Sequence, residues 1–166
     1  MIGRKKEIVD LQRAYDSEQS EFVAVYGRRR IGKTFLVNEM FGGRFAFQHA
    51  GVEKTDKKGQ LEYFRDSLLR HGRRNCPKLR DWRSAFFELE NMLEAQEPGK
   101  KVVFLDEVPW MDTAKSGFLT ALEHFWNGWA CLRKDVLLII CGSATSWVVN
   151  EVLSSRGGLY NRVTVP

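Results

Sequence analysis

Along the first part of the chain, apolar positions recur at helical spacing among charges. In residues 4–16, RKKEIVDLQRAYD, Ile8, Leu11 and Tyr15 fall on one face and predict an amphipathic helix. A polar break at 17–20 leads into EFVAVY, a β-branched and apolar run with the character of a buried strand, ended by Gly27. From Lys33 to Phe41 the apolar residues Phe35, Leu36 and Met40 return to helical spacing, and Gly42 and Gly43 close that segment. FAFQ predicts a second strand, and the charged cluster Lys54 to Lys58 a loop. Leu61 to Arg70 and Trp82 to Leu93 predict helices separated by the basic turn HGRRNCPKLR. Pro98-Gly99 punctuates the chain before KVVFLDE, a buried strand. Gly117 to Trp129 predicts a helix with an aromatic-rich face, VLLIICGS another buried strand, and RGGLYNRVTVP a loop ending in a strand beginning, VTV.

Strands alternating with helices predict an α/β fold whose parallel sheet is covered on both faces. There is no internal repeat and no low-complexity segment. VTV breaks off inside an element, so the expectation is a piece of a longer protein. At 166 residues, 43% hydrophobic and 28% charged, the chain suits one globular domain rather than a disordered one. No apolar run approaches a membrane span, and MIGRKKEIVD is charged too early to be a signal peptide. Cys76, Cys131 and Cys141 share no CxxC spacing, which argues against a disulfide framework or zinc site and for a reducing, cytoplasmic setting. The net charge of +5 is compatible with a phosphate-bearing partner without requiring one.

The chemistry concentrates in GRRRIGKT, Gly27 to Thr34, which matches G-x-x-x-x-G-K-[ST] after a strand and at the opening of a helix. Glycines let the backbone approach a phosphate closely, and successive N–H groups with the helix N-terminus direct partial positive charge at it. The nucleotide-binding set is Gly27, Arg28, Arg29, Arg30, Ile31, Gly32, Lys33, Thr34 and Phe35, with the three arginine side chains read as solvent-facing. Lys33 would reach the β- and γ-oxygens, and the Thr34 hydroxyl would ligate Mg²⁺. KVVFLDE supplies the partner. Asp106 closes a buried strand, where a carboxylate can hold Mg²⁺ as the Walker B aspartate does. Glu107 follows as the candidate general base for an attacking water.

In CGSATS, Ser143 and Thr145 are candidates for a polar sensor of the γ-phosphate, Ser143 standing nearer the strand tip. Arg162 is the candidate charge-stabilising arginine, toward the nucleotide of its own or a neighbouring subunit, and Arg156 competes with it. His49, His71 and His124 share no metal-ligand spacing and read as surface or capping residues. Phe118, Phe125, Trp126 and Trp129 read as core packing rather than a base-stacking platform.

Taken in order, MIGRKKEIVDL, VYGRRRIGKT, DEVPWM, IICGSATS and GGLYNRVT resemble the boxes of the archaeal-type P-loop ATPases, close to the STAND and AAA+ ATPases. The resemblance runs over essentially the whole chain, 1–166. It implies a three-layer RecA/AAA-like core with strand order 5-1-4-3-2, the fifth strand truncated. It also places Ile2 and Gly3 near the adenine. GGLYNR departs from the commoner GPLYGR, which weakens the case for Arg162. The helical or winged-helix region that such proteins carry after the core has no counterpart here, so the isolated chain is expected to turn over ATP poorly and to self-associate.

The reading that follows is an ATP-binding, Mg²⁺-dependent hydrolase acting as a switch in a larger protein, with its own C-terminal region and copies of itself as partners. A DNA-associated, initiator-like ATPase is the alternative, favoured slightly by the charge and by HGRRNCPKLR. A small-molecule P-loop kinase is a third class, disfavoured by the adjacency of Asp106 and Glu107 and by the polar sensor strand.

Overall fold

Runs such as KVVFLD and VLLIICG have no polar side, so they are stable only where both faces of a sheet are covered. In the computed structural model, which describes residues 5–26, 30–142 and 160–164, they form the middle of a parallel five-stranded sheet. The strands are β1 (Glu21–Tyr26), β2 (Phe45–Ala50), β3 (Lys101–Asp106), β4 (Val136–Gly142) and β5 (Tyr160–Thr164). Their spatial order is β2-β3-β4-β1-β5, the expected 5-1-4-3-2 read from the other edge. Every pairing is parallel.

Alternate residues of each central strand face opposite layers. Ala24, Val103, Leu105, Leu138 and Ile140 join a core under α3 (Lys57–Arg70), α4 (Trp82–Glu94) and α6 (Phe118–Gly128). Val23, Val25, Val102, Phe104, Leu137, Ile139 and Cys141 join a second core under α1 (Lys5–Asp16) and α2 (Arg30–Phe41). Phe118, Phe125 and Trp126 are buried in the first of these cores, with Trp129 packed against it, as expected of packing residues.

Several boundaries differ from the pattern-based expectation. The helix expected from Lys33 begins at Arg30. The run Lys54 to Lys58, expected as a loop, gives its last two residues to α3, because Asp56 caps that helix by accepting the Gly59 N–H at 2.9 Å. A four-residue helix, α5 (Val108–Met111), follows β3 and was not expected; Pro109 lies in its first turn, where a missing N–H costs nothing. β5 starts three residues before VTV, so Arg162 lies within the strand rather than ahead of it, its backbone beside Ala24 of β1. Among the described residues no helix is long and apolar enough to cross a membrane.

Candidate functional site

The parallel register brings the C-terminal tips of the strands to one level. Tyr26 pairs with Gly142, and Ala50 with Asp106. α2 follows the tip of β1 with only residues 27–29 between them. These connections carry Thr34 to Asp106: the Thr34 hydroxyl donates to Asp106 Oδ2 at 2.7 Å across 72 residues of sequence. Asp106 Oδ1 accepts the Glu107 backbone N–H at 2.8 Å, so each carboxylate oxygen has a donor. The first two motifs are therefore one site.

Lys33 is fully buried, as is the ring-free stem of α2 beside it, Leu36 and Val37. Its charge is felt at Cys141 near the tip of β4, together with those of Asp106 and Glu107. The Cys141 thiol is pushed up out of its ordinary range by burial first and by the Asp106 carboxylate next, with Lys33 acting in the opposite direction and Glu107 adding to the rise. Cys141 is thus the small buried residue expected of it. Among the described residues no group of three or more His, Cys, Asp or Glu could hold a metal by itself. One carboxylate and one hydroxyl, both oxygen, fit a hard cation such as Mg²⁺, which completes its shell with water and phosphate oxygens.

Glu107 has φ 51° and ψ 42°, the left-handed region, which costs a non-glycine residue about 1–2 kcal/mol. This turn reverses the chain from β3 into α5 and leaves the Glu107 side chain partly accessible at the tip. Glycines on both sides make room for it. A Cβ at Gly51 would stand 2.4 Å from the Glu107 carbonyl oxygen, and one at Gly142 would stand 2.6 Å from Pro109 Cδ. Strain held in place by close packing is a common property of reactive sites.

Of the remaining expected site residues, Gly32 and Phe35 lie in the opening turns of α2, Phe35 with 55% of its surface exposed. The backbones of Arg30 and Ile31 begin that helix. Ile2, Gly3, Gly27, Arg28, Arg29, Ser143, Thr145 and Arg156 lie outside the described residues, as does the side chain of Arg162.

One part of the site was missed. His49, read as a surface or capping residue, is 94% buried at the tip of β2, its exposure being 6%. Its Nδ1 lies 2.7 Å from Ser67 Oγ of α3 and its ring meets Phe64 edge-on at 5.0 Å. Burial, and then the Arg70 guanidinium, lowers its pKa to about 4, so the ring is neutral at physiological pH. His71 does cap α3 and accepts the Gln48 backbone N–H at 3.3 Å, while His124 is exposed. The available signal was position: FAFQHA continues the apolar alternation, so His49 falls on the same face as Phe47.

Known proteins share this chain's sequence pattern and its fold. Residues 1–165 match a family described as an ATPase domain predominantly from Archaea. An uncharacterized protein of Methanocaldococcus jannaschii is 28% identical over 171 aligned residues, 98% of this chain and 34% of that protein. Among solved structures, the Walker-type ATPase of Pyrococcus abyssi superposes with a TM-score of 0.68 at 16% identity, over 99% of this chain and 53% of that one. The Aeropyrum pernix ORC2 protein, solved in ADPNP–ADP complexes, gives a TM-score of 0.63 at 16% identity, over 100% of this chain and 48% of that one. The chain spans about a third of the curated relative and about half of the two solved chains.

Proposed function

The chain belongs to this family of ATPase domains, and from that premise we propose that it binds ATP with Mg²⁺ at Gly27–Thr34 and hydrolyses it, acting as a nucleotide-driven switch within a longer protein. The observation that carries the reading is the 2.7 Å bond from Thr34 to Asp106, which unites the phosphate-loop hydroxyl with the strand-end carboxylate. Backbone N–H groups at the start of α2 face the phosphates, and the Lys33 ammonium neutralises their oxygens. Thr34 and Asp106 would hold Mg²⁺, which would supply positive charge against the phosphate oxygens. The Glu107 carboxylate orients a water and takes its proton, its place fixed by the left-handed turn and the Asp106 bond to its N–H. Ser143 and Arg162 are proposed as sensor and charge-stabilising residue. Segments that contact the γ-phosphate relax once it is gone, and that motion is the output.

Two variants test this in the intact protein. Lys33→Ala should weaken ATP-Mg²⁺ binding by at least about tenfold, or about 1.4 kcal/mol, in calorimetry. Glu107→Gln should bind ATP normally and lose steady-state turnover, because the amide cannot accept a proton. Wild-type turnover in Glu107→Gln would place the base elsewhere.

A DNA-associated role is the second reading, and the charge distribution favours it. Residues 54–83 hold ten Lys and Arg against four Asp and Glu, an excess of six where the whole chain has five. Lys54, Lys58, Arg70, Arg74, Lys78, Arg80 and Arg83 are exposed. Such a surface should bind duplex DNA with an affinity that falls steeply with salt. A double Lys78→Glu, Arg80→Glu variant should flatten that slope, and binding that ignores both salt and variant would end this reading.

A further inference from the structure

Gln60, near the start of α3, is a polar side chain with none of its surface exposed, on the helix face that buries Leu61, Phe64 and Leu68. An amide at that depth is stable only when its donors and its acceptor are paired. Its bonds go to one short stretch, the connection that carries the chain from the tip of β2 into α3. Oε1 accepts the Val52 N–H at 3.1 Å, and Nε2 donates to the Val52 carbonyl at 2.6 Å and to the Thr55 carbonyl at 3.4 Å. One side chain thus holds both backbone groups of Val52, as a neighbouring strand would.

The residue before Val52 touches the reactive turn. Gly51 donates its N–H to the Asp106 carbonyl at 2.9 Å. A Cβ at Gly51 would run into the Glu107 carbonyl oxygen, with Trp110 Cβ at 3.1 Å and Met111 Cγ at 3.2 Å. The Asp106–Glu107 turn therefore rests directly on the Gly51 backbone. Glu107 is left-handed, a strained conformation for a residue with a Cβ, so the turn keeps its shape only where its surroundings hold it. On one side Gly142 lies against Pro109. On the other the support is Gly51, and Gly51 is held through Val52 by Gln60.

We propose that Gln60 is a positioning residue that fixes the Glu107 carboxylate through Val52 and Gly51, a role that rests on the reading of Glu107 as the general base. Packing alone does not call for an amide at position 60, since leucine would fill a buried helix position at lower desolvation cost. What the amide adds is a grip on both backbone groups of Val52, which keeps Gly51 against the turn. A base displaced by about 1 Å loses on the order of 10²-fold in rate. Lys33, on α2 against the opposite face of the sheet, keeps its place. The loss therefore falls on kcat and not on ATP affinity.

The test uses the intact protein with Gln60→Leu, which keeps the burial, and Gln60→Glu, which keeps the shape and the acceptor but not the amide donor. In the nucleotide-free protein the Gly51 and Glu107 amides, both bonded to Asp106, should exchange with solvent at least about tenfold faster in each variant. The kcat for ATP should fall about tenfold or more, with the Kd for ATP-Mg²⁺ within about twofold of wild type. Leu61→Ala, a truncation of the buried neighbour, is the control for a purely structural effect and should lower stability while leaving kcat unchanged. Gly51→Ala should reproduce the loss, and adding Gln60→Leu to it should lower kcat no further. Wild-type turnover in Glu107→Gln would overturn the base and this role with it. With Glu107→Gln inactive, the role of Gln60 alone is overturned by a Gln60→Leu kcat within about twofold of wild type, by unaltered exchange at Gly51 and Glu107, or by an equal kcat loss in Leu61→Ala.

Discussion

The two faces of the sheet are built differently. Among the described residues, 27 buried apolar residues lie under α3, α4 and α6, eight of them Phe or Trp, whereas 12 lie under α1 and α2, with Phe41 and Phe104 as the aromatics. The first face is a continuous ring network: Phe64 alone meets Phe47, His49, Trp82 and Phe86 at centroid distances of 5.0–5.8 Å. The second face is mainly aliphatic and carries a fully buried lysine next to its core residues. The difference separates two tasks. The aromatic face holds the sheet rigid, and the α2 face can then bury charge beside the strand tips at a cost the other face offsets.

The largest expected effect attacks that division directly. Phe64→Ala removes a fully buried ring from the centre of the aromatic face and should cost about 3–5 kcal/mol in denaturant unfolding. The fraction that remains folded should bind ATP with its affinity nearly unchanged, because among the described residues no ring contact of Phe64 reaches α2. Lys33→Ala should show the reverse pattern. If Phe64→Ala weakened ATP binding in proportion to stability, the two faces would not be separable.

A pH series sharpens the comparison at the seam between the faces. His49 titrates at about 4 when folded against an ordinary 6.5, so between these values the unfolded chain binds a proton that the folded chain does not. Stability therefore falls as pH drops from 6.5 toward 4, by at most about 3 kcal/mol. Glu90 on α4 acts with the opposite sign. Burial first and the neighbouring Glu94 next raise its pKa from 4.5 to about 7, so its contribution is present below 4.5 and is lost as pH rises toward 7. His49→Gln should flatten the acid limb of the unfolding curve, and Glu90→Gln should flatten the neutral limb. Unchanged curves in both variants would show that neither group is differently solvated in the folded state.

The sheet and the site were unequally legible in the sequence. KVVFLDE and VLLIICGS announce buried parallel strands because Val102 to Leu105 and Val136 to Cys141 are unbroken apolar runs up to the tip, and GRRRIGKT and Asp106 stand where strand ends must be. What could not be read locally was set by distant partners. The start of α3 depends on Asp56 capping Gly59 against the high charge of Lys57 and Lys58. α5 exists because Gly51 and Gly142, 91 residues apart in sequence, leave space on either side of β3 for a left-handed Glu107. His49 looked like a surface residue because its burial comes from α3 folding over the sheet edge, a contact that no pattern within β2 encodes.

The smallest expected effect lies farthest from the chemistry, at the start of α4. Asp81 accepts the Ser84 N–H at 2.8 Å while Ser84 Oγ stands 3.3 Å from the Asp81 N–H, a reciprocal capping box ahead of Trp82. The Ser84 N–H, chiefly, holds the Asp81 carboxyl below its ordinary 3.8, so the cap is stronger when ionised. Asp81→Ala should cost about 1 kcal/mol at neutral pH, the usual worth of an N-cap. The sign with pH follows from the lowered value: the ionised cap contributes above 3.8 and its contribution is lost as pH falls below that, so wild type and variant should converge in acid. Since the box is exposed and on the aromatic face, ATP turnover at neutral pH should not change. A stability loss that persisted undiminished in acid would mean that α4 starts poorly without the Asp81 side chain for some reason other than its charge, and that the aromatic face depends on this turn more than its packing suggests.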